Sequence, residues 1–322
     1  MSYTNGLDKP SDYFSTKLYT GNGSTNAITG VGFQPDWVWI KNRPDARDHQ
    51  IYDSVRGTTK VIGSDRTSAE ATVSNGLTAF GSNGFTVGSD ANVNDSSDSH
   101  VAWQWKKSAT AGFDIVSFTT SGDDENFSHS LGVKPELIIF KARASSGNWA
   151  VLGEFAETTF NNKYMVLNLT DAQGSDGSYS NPTASQFSTS NNVAVDSTHI
   201  AYLFRSVQGF SKIGSYTGNG NADGTFVYTG FKPAFTIIKR TDTANDWMVG
   251  DNKINPFNVT DNMLRANLNN VQQSGNYVDY LSNGFKLRLS GNAFNGSGGT
   301  YIYMAFAESP FVTSTGIPTT AR

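Results

Sequence analysis

The 322-residue chain is too long for one ordinary hydrophobic core and suits two or three domains. Only 16% of its residues are charged, so Gly, Ser, Thr and Asn must form much of the surface, as in proteins built from short strands and turns rather than helical bundles or disordered segments. The net charge of −4 without any Lys/Arg cluster excludes the basic footprint of a nucleic-acid-binding protein. The absence of cysteine excludes disulfides, thiolate chemistry and Cys-type zinc sites.

The first residues carry neither a basic stretch nor an apolar stretch of the kind found in signal peptides, and no apolar run reaches about 18 residues. The sequence therefore predicts a protein made in the cytoplasm, without a cleavable signal and without membrane insertion. Residues 1–15 are interpreted as an N-terminal arm that packs on the body or on a neighbouring chain.

A stretch beginning Gly32-Phe33-Gln34-Pro35 and ending at Lys41 occurs three times. The other copies contain Pro135 with Lys141 and Pro233 with Lys239, and an aromatic ring follows each Lys after eight residues: His49, Trp149 and Trp247. Pro before a run of aromatic and β-branched residues is typical of the start of a buried strand. The Lys is interpreted as the point where that strand returns to solvent.

Each repeat ends in a strand of period two, for example Val101, Trp103 and Trp105 on one face with Ala102 and Gln104 on the other. The first face is expected to point to the core, and the second to leave room for another layer or a neighbouring repeat. The predicted fold is all-β, with three tandem antiparallel β-sandwiches of jelly-roll or lectin-like type packed together. The predicted divisions are an arm (1–15), three repeats (16–108, 109–207 and 208–312) and a C-terminal tail (313–322).

No catalytic or metal-binding motif stands out, and no cofactor is expected. His100 and His199 occupy equivalent positions where the third repeat has Tyr301, which favours packing over catalysis. Oxygen-bearing side chains between Asp90 and Asp98 are able to hold Ca²⁺, but a turn is the preferred interpretation.

Five acidic residues are candidates for a hydrolytic pair, although no motif singles out two of them. They are Asp53, Glu70, Glu154, Glu157 and Asp251. The six Trp residues are interpreted as core. Tyr179 and Tyr277 are predicted as exposed loop rings and are the candidate ligand-binding residues. Arg43, Arg47 and Arg56 are interpreted as a solvated group, with inter-subunit ion pairs as the alternative.

Three strings carry a resemblance to a known family. They are Tyr19-Thr20-Gly21-Asn22-Gly23, the stretch from Gly30 to Arg43, and the stretch from Tyr52 to Gly57. Together they resemble the repeat domain of virion proteins of tailed bacteriophages, found in marine and cyanobacterial phages. The resemblance covers about residues 10 to 322, and the second repeat departs from the Tyr-Thr-Gly-Asn-Gly pattern.

The resemblance implies a non-enzymatic structural protein of the virion, in the tail or tail fibre, with loops that contact glycans on the host surface. The expected partners are other virion proteins and further copies of the chain, with a trimer favoured. A capsid decoration protein, a glycan-active depolymerase and a freestanding lectin remain as alternatives.

Overall fold

A computed structural model describes residues 7, 9–122, 125–154, 163–175, 179–189 and 197–308. Over these residues the regular secondary structure is almost all antiparallel β-strand, which confirms the predicted all-β sandwich fold. No helix among them is long and apolar enough to cross a membrane.

The strands follow one order in the three repeats. In the first repeat a 3₁₀ helix (Pro10–Asp12) precedes β1 (Phe14–Thr20), β2 (Asn26–Thr29), β3 (Trp37–Asn42), β4 (Gln50–Asp53), β5 (Lys60–Val61), β6 (Ala71–Thr72), β7 (Leu77–Gly81), β8 (Gly84–Val87), the helical turn α1 (Ala91–Asn94) and β9 (Ser99–Trp105). The second contains β10 (Phe113–Thr119), β11 (Asn126–Ser128), β12 (Leu137–Ala142), β13 (Ala150–Gly153), β14 (Lys163–Val166), β15 (Gly174–Ser175), β16 (Gln186–Ser188) and β17 (Thr198–Phe204). The third contains β18 (Ser211–Thr217), β19 (Phe226–Tyr228), β20 (Phe235–Arg240), β21 (Met248–Asp251), β22 (Thr260–Arg265), β23 (Gln273–Leu281), β24 (Gly284–Leu287) and β25 (Thr300–Phe306).

Each repeat has an inner and an outer sheet. The inner sheets are ordered β1-β9-β3-β4, β10-β17-β12-β13-β14-β15 and β18-β25-β20-β21-β22, and the outer sheets are β2-β8-β7, β11-β16 and β19-β24-β23. In the third repeat the nine-residue β23 pairs with both β22 and β24, so one continuous sheet folds over to form both layers.

The inner sheets are buried on both faces. In β3, Val38 and Ile40 pack with Phe85 of the outer sheet, whereas Trp37 and Trp39 point the other way into a cluster shared by all three repeats. We call this shared cluster the common core. The rings of Trp37 and Tyr202 stack there with centroids 4.7 Å apart, and Phe204 and Phe306 meet at 6.1 Å.

The last strand of each repeat packs in a way that differs in one detail from the expectation. Trp103 and Trp105 face the common core, and Ala102 on the opposite face packs inside the sandwich of its own repeat. The prediction that both faces meet other layers is therefore right. However, the larger residues form the contact between repeats, whereas the smaller residues pack within the sandwich.

The repeats contact one another head to tail in a closed ring, and we call each contact between two repeats a seam. The Trp149 indole donates to Gly63 O (2.7 Å), and the Trp247 indole donates to Val166 O (2.9 Å). His49 closes the ring, since its Nε2 lies 2.9 Å from Arg265 O while its Nδ1 accepts from the Trp39 indole. A second ring of backbone bonds accompanies the first: Glu70 N to Arg143 O, Gln173 N to Thr241 O and Gln272 N to Arg43 O.

The three lysines do not return to solvent, and that interpretation is wrong. Lys41, Lys141 and Lys239 are fully buried. Lys141 Nζ donates to Thr67 O (3.0 Å) and Lys239 Nζ to Thr170 O (2.9 Å), each a carbonyl of the preceding repeat. Their ammonium groups thus join loops across seams. Burial lowers the pKa of each to about 8.

The interpretation of Arg56 as a solvated residue is also wrong. Arg56 and Asp53 form a fully buried ion pair, and Tyr202 of the second repeat donates its hydroxyl to Asp53 (2.7 Å). Arg56 also reaches Glu70 (3.3 Å), which Arg143 binds through two nitrogens at 2.9 and 3.1 Å. The network lies within one chain, in the seam between the first two repeats.

The Tyr-Thr-Gly-Asn-Gly string is explained by packing. Tyr19 stacks on His100 (5.1 Å), and the counterparts Phe118–His199 and Tyr216–Tyr301 stack at 5.1 and 4.9 Å. The backbone N–H of Asn22 donates to Asn94 Oδ1, and the Asn94 side-chain amide donates to Asn22 Oδ1. A Cβ at Gly21 would lie 2.0 Å from Asp95 O. The predicted packing role of His100 and His199 is confirmed.

We expect Arg56→Ala to lower the free energy of unfolding by about 3–5 kcal/mol, because it leaves the buried Asp53 carboxylate without its cation. Urea denaturation measures this change. Arg47→Ala removes a partly exposed partner of Asp95 and serves as the control, with an expected loss of about 0–1 kcal/mol. Equal losses in the two variants would contradict the assigned role of the buried pair.

We further expect stability to rise with pH between about 8 and 9.5. The lysines have folded-state pKa values of about 8 against an ordinary 10.5, so in this range the unfolded chain binds more protons than the folded chain. The melting temperature as a function of pH measures the effect. Lys141→Met should make the rise smaller, and Lys60→Met, at a half-exposed position, should leave it unchanged. A rise of the same size in Lys141→Met would contradict the assignment.

Candidate functional site

Tyr179 is not the exposed ring that the sequence predicts. Only 6% of the residue is exposed, and its ring lies 6.4 Å from Phe140 and 6.3 Å from Tyr164 within the sandwich of the second repeat. The prediction of exposure is wrong because a single aromatic in a Ser- and Gly-rich loop has the same local sequence whether it is solvated or folded inward.

Tyr277 lies in strand β23 rather than in a loop. It is half-buried, and its ring contacts Phe294 with centroids 5.3 Å apart. The structure does not bring Tyr179 and Tyr277 together in one site, since they belong to the separate hydrophobic clusters of the second and third repeats. Their ligand-binding role stays a prediction.

The six Trp residues are all buried, as predicted. His49 is buried beside them in the ring between repeats, and burial together with nearby Lys41 lowers its pKa to about 3. It is therefore neutral at physiological pH and serves as a hydrogen-bonding ring, in the position that Trp149 and Trp247 fill in the other repeats.

The candidate carboxylates are held in structural contacts. Asp53 and Asp251 occupy the same repeat position in different seams, where Asp251 accepts from Thr16 (2.7 Å) and from the Trp103 indole (3.0 Å). Burial raises the pKa of Asp251 to about 6. Glu154 pairs with Lys134 at 2.5 Å. Glu157 lies outside the described residues.

The Asp90 to Asp98 segment forms the predicted turn, which contains a single helical turn whose Asn92 N–H is capped by the Asp90 side chain. Asp95 and Asp98 approach Asp45 closely enough for all three to offer one oxygen to a cation. However, Arg47 pairs with Asp95, and the Asn42 amide donates to Asp98 (2.8 Å). Protein groups already neutralise or bind these oxygens.

Two aromatic rings lie on the solvent side of the outer sheet in the third repeat. Phe226 is 44% exposed and Tyr228 is 65% exposed, while Val227 between them points into the sandwich. Across the ladder they face Lys286 and Gly284 of β24. We call the surface formed by Phe226 and Tyr228 the aromatic face.

Glycine and charged groups border the aromatic face. A Cβ at Gly284 would lie 2.0 Å from Val227 O and 3.1 Å from the Phe226 ring, so the missing side chain keeps the two strands and this ring close. Lys286 Nζ lies 2.5 Å from the Asp223 carboxylate, and this hydrogen bond holds the pKa of Asp223 below its ordinary value. Asp279, opposite Lys286, pairs with Arg288 at 3.4 Å. The face thus combines apolar rings with charged donors and acceptors at one edge.

The first two repeats lack this combination in the described residues. The positions of Phe226 and Tyr228 are Ala27 and Thr29 in the first repeat, and the corresponding outward residues of β11 in the second are Asn126 and Ser128. Sequence reasoning missed the aromatic face because it did not identify β19 as a strand. Alternation around an inward residue, compared across the three repeats, is the signal that would have found it.

Comparison with known families gives a match over nearly the whole chain. No curated protein shows significant similarity to it. The family described as "Domain of unknown function (DUF7483)" matches residues 9–310, which include all three sandwiches and their seams. The chain therefore belongs to the DUF7483 family.

Proposed function

We propose that the protein is a non-enzymatic structural protein of a tailed-phage virion, in the tail or tail fibre, which contacts glycans through its third repeat. The observation that carries the binding role is the aromatic face, which among the described residues occurs on only one of the three outer sheets. The virion context rests on the resemblance of the repeat strings to phage proteins.

A glycan suits the chemistry of the aromatic face. The C–H groups of a pyranose ring pack on an aromatic face, and sugar hydroxyls exchange hydrogen bonds with nearby charged groups. Tyr228 offers the larger free ring, and Asp223, with a 77% exposed side chain, offers carboxylate oxygens. An exposed apolar patch bordered by polar groups is typical of an interaction site.

The placement of the acidic residues supports a non-enzymatic role. Asp53 and Asp251 stabilise seams, and Glu70 bridges two arginines. A glycan-active depolymerase would need two carboxylates flanking one cleft. Reducing-end assays on polysaccharides bound by the protein test this alternative, since release of sugar ends would favour it.

A capsid decoration protein and a freestanding lectin are the remaining alternatives. Imaging of virions labelled at this protein distinguishes head from tail, and a signal confined to the head would replace the tail assignment. A protein absent from virions that still binds glycans would be a lectin.

We expect Tyr228→Ala to weaken glycan binding at least tenfold, because it removes the more exposed ring while the inward Val227 keeps the strand in place. A glycan array identifies the ligand, and titration calorimetry with that glycan measures affinity. Thr29→Ala, at the equivalent position of the first repeat, is the matched control and should bind like the unchanged protein. Tyr277→Ala tests the other candidate residue. Unchanged binding by Tyr228→Ala and Phe226→Ala together would remove the aromatic face from the proposal.

We expect light scattering to give a mass three times the chain mass of 34.8 kDa, as for the trimers common in tail fibres. The three repeats already surround a filled common core, so a trimer must use outer surfaces of the chain. The same measurement at high salt tests whether ion pairs hold it together. A monodisperse species of 34.8 kDa would contradict the trimer and favour an adaptor or decoration role.

A further inference from the structure

The seam between the third and first repeats differs from the other two in one respect. Residues 106–112 connect the first repeat to the second covalently, and residues 205–210 connect the second to the third. No such link joins the third repeat to the first. There the chain leaves the third repeat at Glu308, beside the start of β1.

Glu308 occupies the place of a linker residue. Its Oε1 accepts from Thr16 N (3.2 Å), and its Oε2 lies 2.9 Å from Lys253 Nζ. At the other junctions, Lys107 Nζ donates to Ile115 O (3.0 Å) and Ser206 Oγ accepts from Ile213 N (2.9 Å). Thr16, Ile115 and Ile213 are the third residues of their strands. Glu308 therefore lies beside the edge of β1, where the described part of the chain ends.

The edge of β1 has open hydrogen-bonding groups. β1 is the outermost strand of its sheet, and the bond from Thr16 N to Glu308 shows that Thr16 faces away from β9. Because alternate residues of a strand point the same way, the N–H and C=O of Leu18 also point to this edge. The described residues provide no backbone partner for Leu18, and its side chain is 41% exposed.

A groove of about 610 Å³ runs beside this edge. Thr16, Leu18, Gly30 and Val31 lie along it, with Lys253 and Glu308 at the seam. An open strand edge beside a groove is the geometry that accepts an added strand.

We propose that the segment Ser309 to Thr315 of the same chain adds to the free edge of β1. The segment continues directly from Glu308 and contains Phe311, Val312 and Thr313, residue types that favour strands. Pro310, which lacks an N–H, comes before them, as at the start of a strand. The segment has no charged side chain, so it enters a groove that contains lysines without repulsion. It closes the third seam as the covalent linkers close the other two.

The N-terminal residues fit this edge less well. The chain enters the first repeat through Leu7, which is fully buried in the common core. Lys9 and Ser11, which follow Leu7 in the chain, line the groove. Residues 1–6, however, lack a run of strand-forming residues.

Cysteine cross-linking tests the contact, because the full chain has no cysteine of its own. Leu18→Cys is combined in turn with Phe311→Cys, Val312→Cys and Thr313→Cys, and mild oxidation is followed by mass spectrometry. Side chains opposite one another on paired strands lie about 5 Å apart, so at least one pair should form a disulfide within the chain. Val55→Cys, at a residue with the same 41% exposure, is the control and should form none.

Absence of a cross-link in all three pairs would overturn the proposal, as would equal cross-linking from Val55→Cys. Cross-links formed only between chains would overturn it too, because a second copy would then occupy the edge.

Hydrogen exchange at Leu18 N–H provides an independent measurement. Val312→Pro combined with Thr313→Pro removes one edge-facing N–H in either register, and exchange at Leu18 should become at least tenfold faster. Thr319→Pro with Thr320→Pro, outside the segment, should leave it unchanged. Slow exchange at Leu18 N–H in both variants would contradict the proposal. If deletion of residues 1–6 then made this exchange fast, the N-terminal residues would be the segment that covers the edge of β1.

Discussion

The fold depends on burying both faces of each inner sheet. One face of β3 packs on the outer sheet of its own repeat, and the other presents Trp37 and Trp39 to the common core. A repeat taken alone would expose Trp37 and Trp39 to water, at a cost of about 1.5–3 kcal/mol for each large side chain. The three repeats are therefore one folding unit, although each has the architecture of a small domain.

Polar groups in the seams determine which repeat follows which. Asp53 requires the Tyr202 hydroxyl, and Asp251 requires Thr16 and the Trp103 indole. In the seam between the second and third repeats, the positions of the acid and the donor are held by Gly153 and Met304, which have no charge to satisfy. Any other order would place a buried carboxylate opposite Met304, and an unpaired buried charge is costly. Apolar burial brings the repeats together, and these pairs make their arrangement unique.

Sequence reasoning succeeded where a residue's role depends on its own strand. Pro35 before an apolar run and the alternation around Trp103 predicted the buried strands, and repetition predicted the number of sandwiches. It failed where the role depends on a distant segment. Lys41, Lys141 and Lys239 lie next to the last residues of their strands, where lysines commonly snorkel to solvent, but loops from within and between repeats cover them. Arg56 likewise has a loop-like neighbourhood in sequence and a buried partner, Tyr202, in the next repeat.

The same distinction, between roles set by a residue's own strand and roles set by a distant segment, applies to the candidate site. Exposure of Tyr179 cannot be inferred from its loop, because the covering rings come from two other strands. The exposure of Phe226 and Tyr228 follows from alternation around Val227, once Ile28 and Val227 are recognised as equivalent inward residues. Comparing outward positions between repeats is therefore more informative than counting aromatic residues.

Differences between the repeats separate what the fold requires from what it does not. Gly84 and Gly284 each allow a close approach of two strands, because a Cβ at either would lie about 2 Å from a carbonyl oxygen of the neighbouring strand. The second repeat has Gln186 at the equivalent position, so the fold does not require glycine in every repeat. The outward positions of β2 and β11 are filled by Ala, Thr, Asn and Ser, so the sheet needs no ring there. β19 is the outermost strand of its sheet, and exposed aromatics on such a strand promote association between chains. Packing within the sandwich therefore does not require these rings, and their exposure supports the proposed binding role.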